Sequence, residues 1–196
     1  MERTTYKPLA ARKAAAGTTY HQPSTFQTVR LDSPAICVMT DLTKVSAATI
    51  AADVSLAKAT QTMISRGVRL LFVADGDEVI GLITARDTQG EKPIKLVQER
   101  GLKFPDLTVR DLMVPREQID LLDAGDVLRA EVGHIVATLE AWGRQHALVG
   151  DTDPVTGQMR IRGIFSATQI GRQLGVAVQT FEVAKTFAEI KQALGA

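Results

Sequence analysis

A single cysteine, Cys37, stands in the 196 residues of the chain. No intrachain disulfide is therefore possible, and a cysteine-based metal cluster is not expected. Charge of one sign is lacking too: 23 Lys and Arg oppose 22 Asp and Glu, a formal charge of +1. That balance offers no global reason to expect a nucleic acid or an acidic partner. No apolar run approaches the roughly 18 to 20 residues that cross a membrane, and residues 1–24 hold no apolar block of the kind a secretory signal needs. A soluble, cytoplasmic protein without a membrane partner is the expectation.

Catalytic groupings are equally sparse. The three histidines, His21, His134 and His146, are spread along the chain in no metal-binding or nucleophile spacing. Ser166 and Cys37 have no evident base, so no enzyme and no catalytic residue are expected. Asp120, Asp123 and Asp126 recur every third residue without the glycine-centred loop of a calcium site, and read as helix-entry acids that favour the macrodipole. No metal site is expected.

Two stretches do stand out. Gly81-Leu82-Ile83-Thr84-Ala85-Arg86-Asp87 places a glycine, an apolar strand, a hydroxyl and a carboxylate in a short span, and Gly163-Ile164-Phe165-Ser166-Ala167-Thr168-Gln169 echoes it. Each reads as a buried strand running into a helix, with Thr84 or Ser166 as N-cap and Asp87 or Gln169 at the third helical position. Unpaired amides at a helix start can hold an anion such as a phosphate. Ordinary capping boxes look the same, but two copies in one context point beyond capping.

Residues 1–33 carry five basic side chains, Arg3, Lys7, Arg12, Lys13 and Arg30, against Glu2 and Asp32. Low apolar periodicity makes this a solvated polar arm. From residue 34 the pattern changes. Ile36, Val38 and Met39 lead to Thr49-Ile50, then to a helix capped by Asp53 or Ser55 with Leu56, Ala59, Met63 and Ile64 on one face and Gly67 at its end. A strand over 68–73, a turn at Asp75-Gly76-Asp77 and a strand over 78–83 follow. Residues 88–107 are a connection bracketed by glycine and proline, with one short helix around 94–100.

The order then repeats. Residues 109–115 parallel the 38–40 entry, 119–122 is a candidate strand, and Val132, Ile135, Val136, Leu139 and Trp142 mark a helix face closed by Gly143. Strands over 146–149 and 159–165 flank a long turn at 150–157, with Asp151 and Asp153 read as turn residues. The second copy is about eight residues longer, because Gly81 to Gly163 spans 82 positions and Met39 to Met113 spans 74. The extra length is expected in its helix start and its turn. Residues 180–194 form an amphipathic helix, with Val183, Phe187, Ile190 and Leu194 on one face, that covers its own domain or pairs with another subunit.

In these features the chain resembles a tandem pair of cystathionine-β-synthase (CBS) domains, a Bateman module, with no enzyme or channel domain attached. The resemblance rests on Val38-Met39-Thr40, Thr49-Ile50, Val68-Arg69-Leu70-Leu71-Phe72-Val73 and the string from Gly81 to Asp87, which matches the family's Gly-apolar-x-Thr/Ser-x-x-Asp/Asn motif. It implies an α+β fold of two β-α-β-β-α repeats related by a pseudo-twofold axis. The expected segments are an arm at 1–33, a first repeat with linker at 34–107, a second repeat at 108–175 and a C-terminal helix at 176–196.

The resemblance further implies clefts that take an adenosine ligand (AMP, ADP, ATP or S-adenosylmethionine) as a regulatory signal to a partner protein, with no cofactor required. In the first cleft Asp87 would accept both ribose hydroxyls, Thr84 would bind beside them and Arg86 would face the anionic end. Thr49, Ile50 and the edge formed by Val68, Arg69 and Leu70 would surround the adenine. The second cleft departs from the motif. Ser166 and Gln169 replace the hydroxyl-carboxylate pair, with His146 in reach of a phosphate, and a neutral amide forfeits the charge-assisted bond. A weak or empty second site is expected, and a homodimer that buries the exposed apolar helix faces. A ligand-independent dimerising scaffold is the alternative.

Overall fold

The structure, a computed structural model, describes residues 8–19, 29–176 and 183–194; His21 and the side chains of Val183 and Leu194 lie outside the described set. Along the chain run β1 (Thr40–Asp41), β2 (Thr49–Ile50), α1 (Leu56–Arg66), β3 (Leu70–Asp75), β4 (Glu78–Thr84), α2 (Ala85–Gln89), α3 (Glu91–Arg100), α4 (Val109–Leu112) and β5 (Val114–Pro115). The second half continues with β6 (Leu121–Asp123), α5 (Ala124–Arg129), α6 (Val132–Trp142), β7 (His146–Thr152), β8 (Met159–Ser166), α7 (Ala167–Gln173) and α8 (Val183–Leu194). Three short 3-10 turns lie at Ala35–Val38, Phe104–Asp106 and Arg116–Gln118.

These strands form two four-stranded sheets, β2-β3-β4-β5 and β1-β8-β7-β6. In both, the first and second strands of the repeat pair in parallel (β2 with β3, β6 with β7) and the long hairpin is antiparallel. Each hairpin slips register at the same place, between Val73 and Ala74 and between Val149 and Gly150. This is the expected pair of β-α-β-β-α units.

The fourth strand of each sheet comes from the other half. β1 pairs with β8 through Thr40 opposite Ile164, and β5 pairs with β4 through Val114 opposite Leu82. Backbone bonds follow the same exchange: the Val132 amide donates to the Ser33 carbonyl at 2.9 Å as the Leu56 amide donates to the Leu107 carbonyl at 3.1 Å, and the Ala35 amide donates to the Ala130 carbonyl as the Val109 amide donates to the Val54 carbonyl, at 2.8 Å each. A reciprocal exchange of this kind is what a twofold relation between the halves requires. The expected division at 107 and 108 is therefore not one in space. Residues 29–41 close the second unit, and Val29, Leu31, Ala35, Val38 and Met39 pack on its core; Leu107, Val109, Leu112 and Met113 pack on the first. The last residues of the 1–33 arm are consequently structural and not a solvated tail.

Strand alternation divides the apolar residues between two faces. Leu71, Val73 and Ile83 meet Leu56, Ala59 and Met63 of α1 in the first core; Ala147, Val149 and Phe165 meet Val132, Ile135 and Leu139 of α6 in the second. The opposite faces supply Leu70, Phe72 and Leu148, which join Leu82, Leu121 and Ile164 in a third cluster, the seam between the sheets. Leu70, Phe72 and Leu148 are each under a tenth exposed, so the two units share one apolar contact.

The motif glycines sit where the exchanged segments cross. A Cβ on Gly163 would lie 2.3 Å from the Met39 sulfur, and one on Gly81 would lie 2.7 Å from the Val114 carbonyl and 3.0 Å from the Met113 sulfur. At Gly81 the obstacle is backbone, so the glycine is a packing requirement of the exchange; at Gly163 it is the flexible Met39 side chain, which can give way.

Several expectations shift. Ser55 caps α1, accepting from the Lys58 amide, and Gly67 ends it in the left-handed region. Ile64 is not on the buried face: the stripe is Leu56, Ala59 and Met63, and Ile64 is 67% exposed. Trp142, expected on the inner face of α6, is 37% exposed, with the Arg144 guanidinium 5.6 Å from its ring. The connection helix α3 is longer than expected, starting at Glu91. The extra length of the second copy does fall at its helix start and turn: Leu122 to Val132 spans ten positions, with α5 among them, against six from Ile50 to Leu56, and Val149 to Gly163 spans 14 against eight from Val73 to Gly81. Asp123 caps α5, accepting from the Asp126 amide, and Asp126 pairs with Arg129. Helix α8 covers its own domain, with Phe187 and Ile190 buried in the second core and Lys191 bonded to Glu140 at 2.6 Å.

Candidate functional site

Thr84 and Asp87 come together because β4 runs without a loop into α2. Thr84 is the N-cap and Asp87 the third helical residue of a capping box. The carboxylate is 5% exposed, and its Oδ2 accepts both the Thr84 amide at 3.0 Å and the Thr84 hydroxyl at 2.6 Å. The Lys92 ammonium, from the first turn of α3, reaches Oδ1 at 2.5 Å. The Ala85 amide donates to the Arg69 carbonyl at 2.9 Å, which ties the start of β3 to the same junction.

Charge gathers here from both repeats. His146 opens β7, opposite Ser166 and on the seam side of the sheet. Burial drives its pKa down to about 4, the Arg69 guanidinium adds to the effect and the Asp87 carboxylate opposes it. His146 was grouped with the second cleft by sequence, yet electrically it couples to Arg69 and Asp87 of the first unit. Arg69 itself is held below its ordinary value by burial and by Arg172 of α7. One cation, Lys92, thus bonds the buried carboxylate directly, while the second repeat meets this junction through neutral His146, coupled to both Asp87 and Arg69, and through Arg172, coupled to Arg69.

The remaining first-cleft residues are more scattered. Ile50 and Val68 are half-buried against the first core, and Thr49 is exposed at the outer strand β2. Leu70 is turned into the seam at 6% exposure, so it is not a wall of an open cleft; strand alternation places it beside Phe72, facing Leu148. Arg86 is exposed on α2. That helix has five residues, too short for a substantial macrodipole, so attraction for an anion rests on side-chain cations more than on the helix start.

The corresponding junction in the second repeat is built differently. Ser166 caps α7 with no side-chain bond and no capping box. Gln169 is exposed, and its Oε1 accepts from the Thr40 hydroxyl at 3.3 Å. The pairing registers place Thr40 opposite Ile164 as Val114 stands opposite Leu82, so the exchanged strand carries a hydroxyl to one junction and an aliphatic to the other. Among the described residues no group of His, Cys, Asp or Glu is arranged to hold a metal, and no helix is long and apolar enough to cross a membrane.

Residues 37–88 match the family model of the CBS domain. That segment, which runs through β1 to α2, is similar to a CBS domain. The second half of the chain repeats the topology of the matched half strand by strand, so the fold is that of a CBS pair. Among solved structures, an uncharacterized conserved protein from Pyrococcus horikoshii is 20% identical, covering 78% of this chain and 99% of that one with a TM-score of 0.54. A CBS-domain containing protein from Agrobacterium tumefaciens is 20% identical over 67% of this chain and 93% of its own, at 0.49. A CBS domain pair solved with 5′-methylthioadenosine and S-adenosyl-L-methionine is 16% identical over 71% and 98%, at 0.47. No curated protein matches the chain.

Lys92 and Arg172 were missed as site residues. Lys92 stands five positions beyond Asp87 and across Gly90, outside the three- and four-residue spacings that signal side-chain pairing on a helix. Arg172 approaches Arg69 only through the packing of the two units.

Proposed function

We propose that this CBS pair is a regulatory module that binds an adenosine ligand at the Thr84–Asp87 junction and passes its occupancy to a partner protein. The observation that carries this is the buried Asp87 carboxylate just beyond the end of β4, bonded to Thr84 and Lys92 and electrically coupled to His146 of the second repeat. A carboxylate is acceptor-only and matches the vicinal hydroxyls of a ribose, while the cations suit an anionic group on the same ligand. Ile50 and Val68 offer aliphatic surface to the adenine. Arg86 serves the anionic end from solvent, and the Ser166–Gln169 junction, lacking a carboxylate, is the weaker site. Because His146 and Arg172 of the second unit couple to Asp87 and Arg69 of the first, a ligand that binds one relative placement of the units better than another shifts that placement.

A second reading, a ligand-independent scaffold, is favoured by one observation: Asp87 is already bonded within the chain. Exposed Ile64, Ile94 and Trp142 offer surface to a second copy, and a homodimer fits either reading. Neither reading involves catalysis. The deciding experiment is a thermal-shift and calorimetric screen of AMP, ADP, ATP, S-adenosylmethionine and NAD against wild type and Asp87→Ala. A ligand at 100 times its Kd adds about 2.7 kcal/mol, which for a chain of this size raises the midpoint by roughly 5–10 °C. One compound doing so in wild type and failing in Asp87→Ala supports the sensor. No shift with any of them, in a folded protein that light scattering finds dimeric, rejects it in favour of the scaffold.

A further inference from the structure

An ionised carboxylate has about four lone-pair directions, and Asp87 uses three: two at Oδ2 on the amide and hydroxyl of Thr84, one at Oδ1 on Lys92. A ribose diol needs two acceptor directions on one face. The Thr84 amide bond belongs to the capping box that starts α2 and stays. Lys92 is different. Its side chain is 59% exposed and flexible, so it leaves Oδ1 at little cost in packing. The same side chain lines a groove with Lys95, Leu96 and Met113, where Lys95 pairs with Glu91 at 2.9 Å.

We propose that Lys92 is a specificity-determining residue: it occupies the ribose position of Asp87 in the empty protein, is displaced by the sugar, and then pairs with a phosphate on the same ligand. This rests on the adenosine-binding reading above. The displaced ammonium stays within a side chain's length of the junction. A phosphorylated nucleoside replaces the ion pair it breaks, exchanging one charge-assisted bond for another. An uncharged nucleoside competes with Lys92 for Asp87 and returns nothing to it. The short α2 strengthens the case, since five residues supply little dipole for the phosphate. A side chain that the family motif does not include thus adds to the selection of a nucleotide over a nucleoside, beside Arg86 at the anionic end.

The test is isothermal calorimetry of AMP and adenosine with wild type, Lys92→Met and Lys92→Arg, each shown folded by circular dichroism. In Lys92→Met adenosine is expected to bind more tightly and AMP less so, reducing the AMP-to-adenosine affinity ratio about tenfold or more. Lys92→Arg keeps most of the preference. If both ligands bind but the ratio stays within about twofold in Lys92→Met, or both affinities move together, the assignment of Lys92 is overturned and the adenosine site stands. If neither compound, at millimolar concentration, binds wild type or Lys92→Met, both are overturned.

Discussion

The two repeats share a backbone and differ in what they do with it. At the end of β4 a carboxylate is buried, capped by Thr84 and neutralised by Lys92; at the end of β8 an exposed amide bonds to a threonine from the exchanged strand. The first junction holds charge away from water, which demands partners; the second holds none and requires little. The units thus differ in electrostatics, not in topology. The seam differs as well: the position occupied by Leu70 in the first repeat is His146 in the second, because both residues open the central strand and pair with the N-cap, Thr84 or Ser166.

Substitutions at paired positions test this contrast. The largest effect belongs to the cores. Phe165 is fully buried in the second, and Ile83 is its counterpart in the first. Phe165→Ala is expected to cost about 3–5 kcal/mol and Ile83→Ala about 2–5, read from urea unfolding. Because the seam joins the units, each variant is expected to shift one common transition. Two separated transitions would show the repeats to be energetically independent.

His146 gives the next effect. Its folded pKa of about 4 lies below the ordinary 6.5, so between those values the unfolded chain binds the proton and the folded chain does not. The stability associated with neutral His146 is complete above pH 6.5 and is lost as pH falls towards 4, up to about 3 kcal/mol. Urea midpoints measured from pH 7.5 to 4.5 should decline along this window, and His146→Leu, which copies the first repeat, should flatten the decline. An unchanged slope in the variant would remove His146 as its source.

The smallest effect separates the caps. Thr84→Ala removes the hydroxyl bonded to Asp87 and is expected to cost about 1 kcal/mol. Ser166→Ala, where no cap bond exists, should change stability by less than about 0.5 kcal/mol. Equal costs, measured by thermal unfolding, would show that the capping difference is energetically empty.

Much of the fold was legible from short-range pattern. The stripe of Leu56, Ala59 and Met63, Ser55 before it and Gly67 after it locate α1, and the glycine at 76 locates a hairpin. Thr84 and Asp87 were readable as a pair because three residues is one helical turn. Ile64 and Trp142 were misplaced because helix periodicity fixes an angle around the axis but not how far the neighbouring layer extends. The arm was read as solvated because its docked end offers only two apolar side chains, Val29 and Leu31, too few to show a period, and is otherwise bound through the Leu31 and Ser33 carbonyls, which have no side-chain signature.

The sequence by itself determined that there are two similar units, where their strands meet their helices, and that only one junction carries a carboxylate. Each of these depends on residues within a few positions of one another. Only the tertiary structure decided that each unit is closed by a strand from the other half, that Leu70 lies in the seam, that α8 returns to its own domain, that Lys92 bonds Asp87, and that His146 couples to Asp87 and Arg69. These are contacts between residues far apart along the chain or across a helix break, set by which apolar faces must be buried together, and no local spacing encodes them.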